Sequence, residues 1–97
     1  MSTLSVEVKA DNVTVTEDNL AVDLNDGRTI SVPFAWYPRL LHGTSEERSS
    51  WCFIGDKDGI HWPELDEDIS VENLLLGKPS AESQTSFKRW LEKRTAG

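Results

Sequence analysis

The sequence has little of what several common functions require. Its only cysteine is Cys52, so no disulfide can form within the chain, a usage that suits a reducing cytoplasm. No apolar run approaches the roughly eighteen residues of a membrane span. The first residues, MSTLSVEVKADN, lack the basic and apolar segments of a secretory signal. We therefore expect a cytoplasmic protein with no membrane contact.

Glycine-rich phosphate loops and an excess of basic residues are also missing. No segment fits a G-x-G-x-x-G or Walker pattern. Ten Lys and Arg residues stand against seventeen Asp and Glu, for a formal net charge of −7. Because nucleic-acid binding usually requires a basic patch, direct binding is not expected. The charge is uneven, with seven acids between positions 56 and 72 and four bases between 88 and 94, which predicts an acidic face and a basic tail.

The remaining composition predicts a small ordered protein whose first third is strand-rich. Ninety-seven residues suit a single domain with one modest core, and four tryptophans make that core rich in aromatic side chains. Residues 4–33 alternate apolar and polar side chains, which predicts an antiparallel meander. We expect a turn at Asp11 and Asn12. The Asp26-Gly27 pair predicts a hairpin, because glycine accepts the positive φ that the turn requires.

The hydrophobic period changes after Pro33. Residues 37–50 have helical spacing, with Pro38 in a first helical turn, and residues 51–70 predict a strand followed by an acidic loop. Two further helices are expected at 71–76 and 80–94, the first begun by Ser70 and ended by Gly77. We therefore predict an α+β domain. Its small antiparallel sheet combines the N-terminal meander with a later strand at 51–54, and a few helices pack on one face.

The stretch GDKDGIHWPELDEDIS, residues 55–70, concentrates six acids with one histidine and one tryptophan. A calcium-binding loop is not predicted, because Gly59 follows Asp58 directly and a ligand position is missing. A hard-cation site at Asp66 and Asp68 stays open as an alternative, although no spacing defines its geometry. We favour a solvated acidic surface in which Asp66 or Asp68 accepts backbone N–H groups at the next helix. No resident metal or cofactor is expected.

Catalytic chemistry is not predicted either. Cys52 stands between Trp51 and Phe53, so we expect it to be buried and slow to react with thiol reagents. His61 alternates with Trp62, which predicts a core position for the tryptophan and a more polar one for the histidine. No spacing indicates an acid–base pair, and we expect no enzyme activity.

Two segments carry a resemblance to a known family. YPRLLHGTSEERSSW, residues 37–51, followed by GIHWPELDEDISVENLLLG, residues 59–77, is similar to the bacterial family catalogued as domain of unknown function 2442. The family pattern has signature positions at Tyr37, Pro38, Arg39, Leu40, Trp51, His61, Trp62, Leu65, Asp66, Asp68 and Ile69. The resemblance implies a small α+β fold and no established activity, cofactor or catalytic residue.

The resemblance also suggests partners. Some relatives continue into a helix-turn-helix domain, whereas this chain stops at Gly97, so DNA regulation is not expected. Others are encoded beside a second small protein, in an arrangement similar to toxin–antitoxin pairs.

Our leading hypothesis is a protein-binding module, most concretely an antitoxin-like partner of a small basic protein. The alternatives are an accessory to a nucleic-acid-binding regulator, acting through the basic C-terminal helix, and an acidic metal site. No feature of the sequence sets an oligomeric state. The residues expected on the partner surface are Arg39, His61, Glu64, Asp66, Glu67 and Asp68.

Overall fold

The structure, a computed structural model, describes residues 8–96 and contains two small antiparallel sheets with helices between and after them. The first sheet has the order β1-β2-β3: β1 (Ala10–Val15), β2 (Asn19–Leu24) and β3 (Thr29–Pro33). The second has the order β4-β5-β6: β4 (Cys52–Ile54), β5 (Gly59–Trp62) and β6 (Glu67–Ser70). A 3-10 turn at Phe34–Trp36 precedes α1 (Pro38–Leu41), α2 (Ser45–Ser49), α3 (Val71–Leu76) and α4 (Gln84–Ala96). These elements confirm the predicted α+β class.

The first sheet follows the two-residue period of its sequence. Leu20, Val22 and Leu24 of β2 are all buried, as the alternation predicts. Gly27 has a φ of 96° in the turn between β2 and β3, which only glycine adopts without strain. The predicted turn at Asp11 is wrong. Asp11 instead forms a bulge inside β1, where the pairing shifts between positions 10 and 12. The predicted strand before residue 8 lies outside the described residues.

The later strand forms as predicted, but it pairs in a second sheet. Two four-residue turns join β4 to β5 and β5 to β6, so the three strands pair locally at little cost in loop-closure entropy. The second half of the predicted acidic loop is also a strand, β6, because Ile69 pairs with Ile60 and both are buried. The register therefore gives this sheet one apolar face and one polar face.

The core joins both sheets to the helices. Its fully buried large side chains are Trp62, Phe34, Leu20, Leu40, Ile60, Leu65 and Val22. Two backbone hydrogen bonds tie the β4–β5 turn to its surroundings: the Ala10 N–H donates to the Lys57 carbonyl at 3.0 Å, and the Val71 N–H to the Asp58 carbonyl at 2.9 Å. The sheets are therefore held together by packing and by main-chain bonds.

The helix ends show why these short segments are helical. Thr44 and Glu47 form a reciprocal capping box at α2, and the Ser70 hydroxyl accepts the Asn73 N–H at α3. Gly77 ends α3 with a φ of 69°. The last helix begins at Gln84 instead of residue 80. Among residues 8–96, no helix has the length and apolar composition needed to cross a membrane.

Candidate protein-binding surface

The turn between β5 and β6 is fixed by a residue from α1. Asp66 has a φ of 52°, a left-handed conformation that aspartate tolerates better than most residues. Arg39 Nη1 donates to the Asp66 carbonyl at 2.9 Å and so holds this conformation. Gly43 lets α1 approach closely, since a Cβ there would lie 2.9 Å from Leu65 Cδ1. The turn is therefore positioned by the body of the protein as well as by its own strands.

Arg39 is largely committed to internal contacts. Its Nε donates to Glu82 Oε1 at 2.9 Å, and only 14% of its side chain is exposed. This contact raises the pKa of Arg39 and lowers that of Glu82, because each charge stabilises the other. The Arg39 guanidinium also lies 5.3 Å from the centre of the Trp90 ring and 3.5 Å from Asp66 Oδ2. Arg39 therefore holds the β5–β6 turn and the segment before α4 together, and little of its side chain contacts solvent.

Glu67 occupies an unusual position for an acid. It pairs with Trp62 across the strands, on the inward face, and is only partly exposed. Burial raises its pKa to about 7, and the carboxylates of Glu82, Asp68 and Asp66 add to the shift, while the Arg39 guanidinium opposes it. Near neutral pH, Glu67 is thus divided between its neutral and charged forms.

A cleft of about 310 Å³ lies beside Glu67. Tyr37, Asn73 and Lys78 contribute to its walls. Burial raises the pKa of Tyr37, with a further contribution from the negative charge of Glu67. The Tyr37 hydroxyl donates to the Lys78 carbonyl at 3.3 Å, so the phenol is held by the segment after α3.

The outward face of the second sheet carries a row of polar side chains. Cys52, His61 and Asp68 are directly opposite one another on β4, β5 and β6. His61 Nδ1 contacts Asp68 Oδ1, which fixes the imidazole orientation. The predicted burial of Cys52 is wrong, because strand alternation turns Phe53 inward and leaves Cys52 exposed. Among the described residues, none is hydrogen-bonded to Cys52 Sγ.

The six residues expected on the partner surface fall into two groups. His61 and Asp68 lie on the outward face, whereas Arg39, Asp66 and Glu67 meet around the β5–β6 turn. Glu64 is exposed within that turn. We refer to Glu64, Asp66, Glu67 and Asp68 together as the acidic strip.

The expected carboxylate bond to the following helix is wrong. Ser70 Oγ accepts the Asn73 N–H at 3.0 Å, while the carboxylates of Asp66 and Asp68 face Arg39 and His61. The Ser70 hydroxyl satisfies one of the orphan N–H groups in the first turn of α3, and the Asp58 carbonyl accepts another, from Val71.

Sequence reasoning missed the residues that support this surface from a distance. Glu82 is 43 positions from Arg39, and no local spacing indicates that pair. Glu67 had a usable signal, since it shares the two-residue period of Ile69 and therefore faces inward. Within residues 8–96, no group of three or more His, Cys, Asp or Glu side chains is placed to hold a metal ion.

Comparison with known proteins supports the fold and the family. A crystal structure of a protein of unknown function from Rhodospirillum rubrum ATCC 11170 is similar, with a TM-score of 0.69 and 23% identity. The match covers 81% of this chain and 98% of that one. No curated protein matches the sequence. The model of the family described as "Protein of unknown function (DUF2442)" matches residues 10–80, and the chain belongs to that family.

Proposed function

We propose that this chain is a small protein-binding module of the bacterial cytoplasm, with the acidic strip as its contact surface for a basic partner protein. The observation that carries the proposal is the exposure of charge on a rigid hairpin. The side chains of Asp66 and Asp68 are 86% and 65% exposed, and Glu64 is exposed between them and β5. Interface recognition uses such charge to select partners.

The strip is held in shape before any partner arrives. Its strand portion is paired with β5, and Arg39 fixes the turn through the carbonyl of Asp66. A surface that is already ordered loses less conformational entropy on binding than a mobile loop does. This rigidity favours a specific contact over general attraction between opposite charges.

Electrostatics favour a basic partner. The net charge of −7 attracts cationic surfaces over a distance of about 10 Å at moderate salt. Arg39 contacts Asp66 of the strip, and Glu82 already neutralises this guanidinium. Complementary charge of this kind speeds association, so we expect the partner to bind faster at low ionic strength. An antitoxin-like complex with a small basic protein is the most concrete form of the proposal.

The test is affinity capture from an extract of the native host at low salt, with three baits. The baits are the wild-type chain, a Glu64→Gln/Asp66→Asn/Asp68→Asn variant, and a control variant, Asp11→Asn/Glu17→Gln/Asp18→Asn. Both variants remove three exposed negative charges, but the control removes them from the first sheet and its turn. Asn also tolerates the left-handed conformation of position 66.

The proposal predicts one basic protein that the wild-type and control baits retain and the acidic-strip variant loses. Equal retention by the two variants would contradict it, because the location of the charge would then be irrelevant. Retention of no protein by any bait would also count against a stable partner in that host.

A second candidate function rests on the basic side chains of α4. Lys88, Arg89 and Lys93 are exposed, and no ion pair within residues 8–96 neutralises them. Together with Trp90, Arg89 and Lys93 line a cavity of about 390 Å³. Cations beside an aromatic ring suit a single-stranded nucleic acid. An accessory nucleic-acid role predicts salt-sensitive binding of single-stranded DNA that Arg89→Gln/Lys93→Gln abolishes and Lys78→Gln leaves intact.

A further inference from the structure

Three side chains on one face of α4 contact the body of the protein. Phe87, Trp90 and Arg94 are three and four positions apart, a spacing that places them on the same side of a helix. The Phe87 ring lies 5.2 Å from the His42 ring, and the Phe87 and Trp90 rings stack at 5.7 Å. The aromatic pair therefore forms the apolar part of this contact.

Charged pairs bracket the aromatic contact. Arg94 Nη2 donates to Glu47 Oε1 at 2.8 Å, and its Nη1 to Oε2 at 3.0 Å. This bidentate pair, with the Thr44 N–H, lowers the pKa of Glu47 to about 2. Two residues before the helix begins, Glu82 binds Arg39. The C-terminal segment supplies the anion of one ion pair and the cation of the other. A helix that lay in the reverse orientation would place like charges together, so the two pairs select one orientation of the helix on this face.

Main-chain bonds do not anchor this helix. The bond from the Ser80 N–H to the Trp36 carbonyl, at 2.9 Å, is the last one between the C-terminal segment and the rest of the described chain. Beyond it, the hydrogen bonds between residues 84–96 and the described body join side chains, as in the Arg94–Glu47 pair. A helix held in this way opens at a lower free energy than the sheets do.

The body and this helix also differ in their relation to the family. The matched residues, 10–80, include Arg39, His42 and Glu47 but end before α4 begins. The face belongs to the family fold, whereas its covering helix lies outside the match.

We propose that Arg39, His42 and Glu47 form a helix-docking face, which α4 occupies in this chain and which also accepts a helix from a partner protein. The partner helix carries two aromatic residues three positions apart, a basic residue four positions later, and an acid before the first turn. That chemistry complements the His42 ring, Glu47 and Arg39 in the way that α4 does. Arg39 contacts both this face and the acidic strip, but the two proposals are tested at different carboxylates, Glu47 here and Asp66 and Asp68 there, so their failures can be distinguished.

Occupation by α4 sets the conditions for binding. A tethered helix acts at an effective concentration of about a millimolar, so an external helix of equal affinity competes poorly with it. A partner therefore binds where its helix fits the face better, or where α4 has been weakened. The experiment uses this competition.

The first test uses the full chain with Phe87→Ala/Trp90→Ala, which weakens the internal helix, and a fluorescent peptide of residues 81–96. Fluorescence anisotropy is expected to show that the variant binds the peptide at least about tenfold more tightly than the wild type does. Adding Glu47→Arg should abolish binding, and a peptide with Arg94→Glu should restore it. The control Glu46→Arg adds the same charge beside the face and should leave binding unchanged.

Three results would overturn the proposal. They are equal binding by wild type and variant, loss of binding with Glu46→Arg as large as with Glu47→Arg, and no binding by a variant whose circular dichroism and melting curve show a folded body. Hydrogen exchange on the wild-type chain gives a second measurement. We expect the amides of α4 to exchange at least about tenfold faster than those of β2. Exchange of both only by global unfolding would show that α4 is an integral part of the core, and would exclude a displaceable helix.

Discussion

The two sheets share one topology but use it differently. In the first, the exposed side includes local contacts, such as Thr29 Oγ1 donating to Asp23 Oδ1 at 2.7 Å. In the second, the outward row contains Cys52, His61 and Asp68, and the next register position places Glu67 inward. The second sheet therefore places a thiol, an imidazole and a carboxylate side by side on its outward face.

The hairpin turns of the two sheets also differ in how they are stabilised. In the β2–β3 turn, Arg28 Nε donates to Asp26 Oδ2 at 2.8 Å, Gly27 supplies the positive φ, and the Asn25 N–H donates to the Lys9 carbonyl at 2.9 Å. The β5–β6 turn uses a non-glycine residue, Asp66, and is held by Arg39 from another element. The β5–β6 turn thus depends on a side chain from α1, and the following predictions address the differences between the two sheets.

The largest effect on stability is expected from a substitution at the centre of the second sheet. Trp62 is fully buried, and its indole Nε1 donates to the Arg48 carbonyl at 2.9 Å. Trp62→Ala should lower the free energy of unfolding by about 3–5 kcal/mol, as measured by urea denaturation. Trp36→Ala, at a partly buried tryptophan, should cost less. If Trp36→Ala costs more than Trp62→Ala, the second sheet does not contain the main core contact.

The next largest effect is a pH dependence of the free energy of unfolding that arises from Glu67 in the second sheet. Glu67 has a pKa of about 7 in the folded chain, against an ordinary value of 4.5. The folded state thus binds more protons than the unfolded state between these values, so the free energy of unfolding falls as pH rises from about 4.5 to about 7 and then levels off. The expected total is about 1–3 kcal/mol.

Glu67→Gln should remove this slope, whereas Glu64→Gln removes an equal charge from an exposed site and should keep it. Glu47 produces the opposite slope at lower pH. Its pKa is lowered to about 2, so its stabilising contribution is lost as pH falls from about 4.5 through 2. Thermal melts across the pH range distinguish the effect of Glu67, between about pH 4.5 and 7, from that of Glu47 at lower pH. If the slope between about pH 4.5 and 7 persists in Glu67→Gln, another group is responsible for it.

A chemical difference is expected at Cys52. The thiol is exposed, so a thiol reagent should modify the native chain within about tenfold of its rate with the unfolded chain. Ser31→Cys in a Cys52→Ser background places a thiol at an exposed position of the first sheet and provides the comparison. Modification of Cys52 only in denaturant would show that β4 is covered in solution.

The smallest effect is expected at the β4–β5 turn. Asp58 Oδ1 accepts a hydrogen bond from Lys9 Nζ at 2.6 Å, but both Asp56 and Asp58 are exposed. Asp56→Asn/Asp58→Asn should therefore lower the melting midpoint by much less than Trp62→Ala does, because exposed ion pairs are screened by solvent. A loss as large as that of Trp62→Ala would mean that the turn is a structural centre of the sheet.

Much of the fold is predictable from sequence because its rules are local. The alternation of Leu20, Val22 and Leu24 identifies a buried strand face, and Ser70 and Gly77 mark the ends of α3. The assignment of β4 to a second sheet was less accessible. Three residues carry a weak pattern, and the choice between two sheets depends on which partner strand is nearest in space.

The candidate site was only partly predictable for the same reason. The acidic composition of residues 55–70 is visible in the sequence, and so is the inward position of Trp62. The contacts of Arg39 with Glu82 and of Glu47 with Arg94 join residues more than forty positions apart, and no periodicity reports them. Cys52 was misplaced because its apolar neighbours in sequence lie on the other face of its strand or outside it.

The central claim is that the acidic strip, and not acidic charge in general, recognises a basic partner. An oligolysine peptide titrated into the isotope-labelled chain at low ionic strength tests this most directly. Backbone amide shifts report where the peptide binds. We predict that the shifts concentrate in residues 61–70 and disappear in Glu64→Gln/Asp66→Asn/Asp68→Asn. Shifts of equal size around Asp11, Glu17 and Asp18, or an unchanged pattern in that variant, would contradict the claim.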